Sequence, residues 1–172
     1  AIQLLLTASM AYPLSKSNLP GRRIMMSLIV FTLVFSGGMI PTFLVVKDLG
    51  LLDTYWALIL PAAINPFSLI IIKNFFQQLP AGLEESAKID GANELQTLWS
   101  VILPLSKPVL ATFALFYAVG IWNDFMSPLL YLNDSSMWTL QMFLRQVTVA
   151  TDLSIVETAA GPLPPAQGIK VA

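Results

Sequence analysis

Pro80-Ala81-Gly82-Leu83-Glu84-Glu85-Ser86-Ala87-Lys88-Ile89-Asp90-Gly91-Ala92-Asn93-Glu94-Leu95 is the most polar stretch of a very apolar chain, and the polar segment runs on through Leu103-Pro104 to Pro108. Pro80 suits the first turn of a helix, and Glu84 and Glu85 come early, where the helix dipole favours acids. Gly91 is a good terminator, because glycine accepts the left-handed conformation. Asp90 can cap a second helix by accepting from the amides ahead of it. In that second helix Leu95, Leu98, Trp99 and Ile102 recur at spacings of three and four, an apolar stripe on a polar segment. Pro104 and Pro108 then break or redirect the chain. The expected element is helix, sharp corner, helix. From the residues alone it is either a knuckle that docks on a partner or an amphipathic linker lying on lipid.

The surroundings make it a membrane chain. Of 172 residues, 56% are hydrophobic and 11% charged, against about 25% charged in soluble domains. Mean hydropathy is +0.73. The net charge of −1 leaves no electrostatic footprint for nucleic acid. With no Cys and no His, disulfides, thiolates, imidazole bases and the usual zinc ligands are excluded. No cofactor or metal is expected. The chain starts at Ala1 inside an apolar run and ends without a polar tail, so it reads as a fragment, truncated at both ends. Ala1 to Ser15 lacks the basic leading region of a signal peptide, so it is not expected to be one.

Outward from the knuckle, the apolar runs are spaced as a polytopic all-α bundle. Residues 1–15 are uncharged but too short for a span, which needs roughly 20 residues; Tyr12-Pro13 marks the exit of a partial span. A turn-rich basic loop follows through Arg22 and Arg23. Residues 24–46 carry no charge and cover about 35 Å as a helix, enough to span. Gly37-Gly38 and Pro41 in its second half suggest either close packing with a bend or a plain span with a fraying end. Residues 54–72 just span at about 28 Å, kinked at Pro61 and Asn65-Pro66. Asn65 faces protein or a water-filled path, or else bonds carbonyls freed by the prolines.

Residues 80–107 are the helix-corner-helix element and 108–133 the third complete span. That span is apolar except for Asp124, about 24 Å along it. The cluster Trp122-Asn123-Asp124 either lines a path or packs and anchors at the interface. Residues 134–172 are too broken to span: a short surface helix from about Thr139 to Val149, a loop, and Ile169 to Ala172 opening towards a missing last span.

Glu85-Ser86-Ala87, then Gly91 four positions after Ala87, then Val101-Ile102-Leu103-Pro104 resembles a known signature. Membrane subunits of binding-protein-dependent ABC importers carry Glu-Ala-Ala, three residues, Gly, nine residues, Ile-x-Leu-Pro. Ser86 and Val101 are small departures from it. The flanking Asp90-Gly91-Ala92 and Leu103 to Pro108 look like the carbohydrate-uptake, maltose-type branch. So do the Asn74 to Pro80 approach, the Leu51 to Tyr55 turn and Trp122-Asn123. The similarity runs from about Ala11 to Leu140.

The resemblance implies a bacterial or archaeal cytoplasmic-membrane permease subunit, itself non-catalytic. Its implied partners are two cytoplasmic ATP-binding subunits, a second and usually non-identical membrane subunit, an extracytoplasmic solute-binding protein, membrane lipid and a sugar. Glu84, Glu85, Ser86, Ala87, Asp90, Gly91, Ala92, Leu95, Leu103 and Pro104 would form the ATPase-coupling element. Asn65, Trp122, Asn123 and Asp124 are the candidates for the substrate path. Phe116 to Gly120 and Glu84 to Gly91 look closest to subunits that import oligosaccharides derived from polysaccharides.

Charge agrees independently. Lys16, Arg22, Arg23, Lys73, Lys88 and Lys107 fall on the knuckle's side, and Lys47, Arg145 and Lys170 on the other. An excess of positive residues marks the cytoplasmic face. Enzyme chemistry is poorly supported. No phosphate loop of the G-x-x-x-x-G-K-[ST] kind occurs, and adjacent Glu84 and Glu85 point about 100° apart on a helix. A permease for another solute, such as a polyamine, and a non-transporting membrane scaffold are the alternatives.

Overall fold

The computed structural model describes residues 1–149. The described residues fold into helices without strands. They run α1 (Ile2–Ser15), α2 (Arg22–Val34), α3 (Met39–Asp48), α4 (Trp56–Ile59), α5 (Pro66–Gln78), α6 (Ala81–Ile89) and α7 (Glu94–Thr97). A π-helical turn (Leu98–Ile102) follows, then α8 (Leu103–Leu105), α9 (Lys107–Asn123), α10 (Met126–Tyr131) and a short 3-10 turn (Ser135–Met137). The chain is helical again over 140–149, which we label α11. The helix expected from about Thr139 is therefore present; the loop and the start of a last span expected beyond it lie outside the described residues.

Proline and glycine break the long apolar runs more sharply than the sequence suggests. The run 24–46 is two helices, α2 and α3, whose axes differ in direction by 116°. Gly38 supplies the joint at φ 86°, and Pro41 sits in the first turn of α3. Residues 54–72 hold the single turn of α4, a non-helical stretch, and the start of α5. The run 108–133 ends its helix at Asn123 and restarts at Met126. The knuckle's second arm, 94–105, meets α9 at 81°. Among the described residues no single helix is long and apolar enough to cross a membrane, although these two bent pairs pass that test together. The first helix also outruns its expected exit, since Pro13 lies in its last turn and α1 continues to Ser15.

Two separate cores hold the helices. The larger joins Ala8, Ala11 and Tyr12 of α1, Ile72 and Phe76 of α5, Leu98 and Ile102 of the π turn, and Phe113 of α9. In water, each large side chain buried this way is worth about 1.5–3 kcal/mol. The smaller core joins Val46, Ala57 and Tyr131, with Phe43 and Leu130 packed against it. The larger core abuts the knuckle. The smaller gathers the Lys47 to Thr54 connection and the end of α10. The two regions that charge assigns to one side thus meet at one core, and the other connections meet at the second.

Most of α2 has no such partner. None of its residues is buried, and Ile24, Phe31 and Val34 are more than half exposed. A face of this composition is suited to lipid or to other protein, not to water.

Candidate functional site

The knuckle's corner is built by backbone hydrogen bonds. Gly91 adopts φ 83°, and its amide donates to the Lys88 carbonyl at 3.0 Å while the Ala92 amide donates to the Ala87 carbonyl at 2.9 Å. This pairing satisfies the orphan carbonyls at the end of α6 and needs a left-handed residue at Gly91. Nothing lies within 4 Å of where a Gly91 Cβ would project, so glycine is required by conformation and not by crowding.

The second arm starts with a reciprocal cap. Asn93 Oδ1 accepts from the Gln96 amide, and Gln96 Oε1 accepts from the Asn93 amide, both at 2.9 Å. The capping residue is therefore Asn93, not Asp90 as expected. Asp90 instead closes α6, its amide donating to the Ser86 carbonyl at 3.0 Å. Gly91 and Ala92 fill the corner between them, so α7 begins three residues later than an Asp90 cap would place it.

A charged cluster fastens the knuckle to α1. The Lys16 ammonium pairs with Glu94 of α7 and lies 3.4 Å from Glu84 of α6. Lys88 pairs with the other oxygen of Glu94 at 3.0 Å. The Tyr12 hydroxyl donates to Glu94 at 3.0 Å, and its ring lies 4.4 Å from the Lys16 ammonium. Lys16, then Lys88, hold the Glu94 carboxyl down from 4.5 to about 2. Burial works against the Lys16 ammonium, but Glu94, Tyr12 and Glu84 outweigh it and raise its pKa. A groove of about 880 Å³ opens beside the cluster, between the end of α1 with its following loop and the two knuckle arms.

The residues expected in the coupling element divide by environment. Glu84 turns inward to Lys16, with its side chain 27% exposed. Glu85 is exposed. Ser86 donates its hydroxyl to the Gly82 carbonyl, one turn back. Ala87 is buried, Ala92 and Leu103 are half-buried, and Pro104 is exposed. The expected apolar stripe splits in two. Leu98 and Ile102 enter the larger core, whereas Leu95 and Trp99 remain exposed at 68% and 57%. Ile89, at 86%, joins them at the corner. The sequence reading missed Tyr12, Lys16 and Glu94 as a group, because 78 residues separate Lys16 from Glu94 and no local pattern links them.

The path candidates are mostly engaged with their own backbone. Asn65 caps α5: its Oδ1 accepts from the Ser68 amide at 3.0 Å. It meets a helix amide and none of the carbonyls freed by the prolines. Asp124, two residues before α10, accepts from the Ser127 amide at 3.1 Å, and Asn123 donates to the Val119 carbonyl at 2.9 Å. Trp122 is 60% exposed. Among the described residues no hydrogen bond joins Asn65 to the 122–124 group.

The far end has its own latch. The Asp53 amide donates to the Tyr131 carbonyl at 2.9 Å, and the Asp53 carboxylate accepts from the Asn133 amide and side chain at 2.5 and 3.2 Å. Asp53 sits at φ 58°, a conformation that aspartate tolerates better than most residues. The bond from the Asn133 amide, then that from its side chain, lowers the Asp53 pKa.

Comparisons place this architecture. The family model described as binding-protein-dependent transport system inner membrane component matches residues 3–161. Protein LplC of Bacillus subtilis (strain 168) is 66% identical over 174 residues, covering 100% of this chain and 59% of LplC. The polygalacturonan/rhamnogalacturonan transport system permease protein YtcP of the same organism is 56% identical over 177 residues, covering 100% of this chain and 61% of YtcP. A crystal structure of a bacterial ABC transporter involved in the import of the acidic polysaccharide alginate has a chain that superposes with a TM-score of 0.82 at 41% identity, covering 84% of this chain and 52% of that one. The chain thus spans about three fifths of the length of the curated relatives it matches. With its helix-corner-helix knuckle and all-helical bundle, the chain belongs to the family of inner membrane components of binding-protein-dependent transport systems.

Proposed function

We propose that this chain is part of the membrane subunit of an ATP-driven importer of oligosaccharides, and that the knuckle receives the motion of a cytoplasmic ATPase. The observation that carries the reading is the corner at Gly91, which presents Ile89, Leu95 and Trp99 as exposed apolar contacts around a left-handed turn. Apolar groups left exposed at the tip of an otherwise polar element suit a protein partner. In this reading ATP-driven closure of the ATPase pair draws the knuckles of two membrane subunits together, and the helices packed on them rock to alternate access. An extracytoplasmic binding protein delivers the solute. The name of YtcP refers to polygalacturonan and rhamnogalacturonan, and the superposing transporter is involved in the import of the acidic polysaccharide alginate, which supports oligosaccharides of uronic acids as the substrate class.

Co-purification of the tagged full-length protein from mild detergent tests the reading, together with uptake of labelled oligogalacturonate by cells. An ATP-hydrolysing subunit should accompany the protein, and Gly91→Pro should remove that subunit or stop uptake. A protein that purifies alone, or normal uptake by Gly91→Pro, overturns the coupling role. Coupling intact without oligogalacturonate uptake overturns the substrate class only.

A further inference from the structure

We infer that Lys16 is a positioning residue of the coupling step: it ties both arms of the knuckle to α1, so that knuckle motion enters the bundle through side chains as well as along the chain. The inference rests on the importer reading above.

The geometry is specific. Glu84 belongs to α6 and Glu94 to α7, and Lys16 pairs with both. A single ammonium therefore bridges the two arms across the corner. Tyr12, one turn earlier on α1, holds the same Glu94 carboxylate from a second direction. Removing the ammonium would leave two carboxylates facing one site with only Lys88 to offset them.

What lies behind Lys16 carries motion onward. α1 packs along α5 through Ala8, Ala11, Ile72 and Phe76. Gln77 of α5 donates to the Ser15 carbonyl at 3.0 Å. Thr7 and the Tyr117 hydroxyl approach to 3.4 Å, which links α1 to α9. A displacement of the knuckle that drags Lys16 thus reaches α1, α5 and α9 as one packed unit.

The covalent route from the second arm to α9 is irregular. It passes a π turn, three residues of α8 and an 81° bend before α9 begins. Ser106, at that bend, is fully buried, and its hydroxyl has no hydrogen-bond partner among the described residues. A buried hydroxyl left unpaired is destabilising, and π turns interrupt the regular ladder. The Lys16 contact reaches α1 without passing this joint.

The test uses the complete importer, reconstituted with its ATPase and solute-binding protein in phosphatidylethanolamine–phosphatidylglycerol vesicles. Two ratios are read: labelled oligogalacturonate taken up per ATP hydrolysed, and the stimulation of hydrolysis by binding protein loaded with the same sugar. Lys16→Met should lower both ratios several-fold in an assembled complex, and Lys16→Arg, which keeps a cation in reach, should restore them. Glu94→Gln, a milder change on an exposed carboxylate, should lower them in part. Its effect should be smaller when Lys16 is already Met, where only Lys88 and Tyr12 remain as partners of the 94 side chain.

Ratios unchanged in Lys16→Met, or independent additive losses in the double variant, overturn the inference. If Lys16→Met does not assemble, Glu94→Gln with unchanged ratios overturns it as well. A wild-type complex without an ATPase overturns the importer reading instead, and that outcome is seen before any variant is made.

Discussion

The two ends of this molecule are closed by different chemistry. At the knuckle, long charged side chains meet: Lys16 and the Tyr12 hydroxyl reach Glu84 and Glu94 from far along the chain, and Lys88 joins Glu94 from within the knuckle. At the far end, the short Asp53 side chain and its amide grip the backbone of Tyr131 and Asn133. Ion pairs that keep contact with solvent are individually weak, about 0.2–1 kcal/mol when fully exposed, and long side chains can follow a moving partner. Short backbone-directed bonds allow less travel. The difference fits a device in which one end moves and the other holds the connections in register.

The contrast breaks most completely at Gly91. Proline there removes the amide that bonds Lys88 and cannot adopt φ 83°, so the corner should be lost and, under the proposed importer function, the ATPase with it, as read by co-purification. Gly91→Ala is the graded version. It keeps the amide and costs about 1–2 kcal/mol for the left-handed conformation, and should assemble with reduced coupling.

At the other end, Asp53→Ala removes both bonds to Asn133 while leaving a residue with a Cβ at φ 58°. Hydrogen exchange should quicken at the 133 amide and stay unchanged at the knuckle. Quickened exchange at both ends would mean that the two latches are one cooperative unit. Asn93→Ala removes the cap of the second arm and should cost about 1 kcal/mol, seen as faster exchange of the 96 and 97 amides.

Salt and acid produce the smallest effect and the sharpest comparison. High salt should loosen the Lys16–Glu94 cluster and leave the Asp53–Asn133 bonds in place. The Glu94 carboxyl is held below its ordinary value, so its contribution is present above pH 4.5 and disappears as the pH falls towards about 2. Nothing at this carboxylate changes near neutral pH. A knuckle that loosens between pH 8 and 6 would contradict that assignment.

Local chemistry made the knuckle legible in the sequence, and long-range chemistry hid its anchor. Pro80, Glu84, Gly91 and the apolar spacing after it predict helix, corner and helix, and the structure has all three. Asp90 and Asn93 are both good capping residues, and only the geometry of the Gly91 turn decides between them. Spacing alone puts the apolar stripe on one face. Packing divides it, since the π turn changes the register that a regular helix would impose between Leu95 and Ile102. The breaks at Gly38 and near Asn65 were visible as glycine and proline, but the angle of a break depends on what the two halves pack against. The Lys16 cluster left no local trace at all. An isolated lysine after a helix is ordinary, and only the folded chain brings Glu84 and Glu94 to it.

The π turn at Leu98–Ile102 has a consequence for how such a subunit changes over generations. There the Leu103 amide bonds the Leu98 carbonyl five residues back, so the turn holds one residue more than an α-helical one. Losing that residue would let the segment close into a plain α-helix with its two ends nearly in place, because the widened turn takes up the extra residue locally. In a regular helix the same change in length would turn every following side chain by about 100°. The turn is thus a slack link: relatives that differ by one residue here can keep the same side of the arm towards the core.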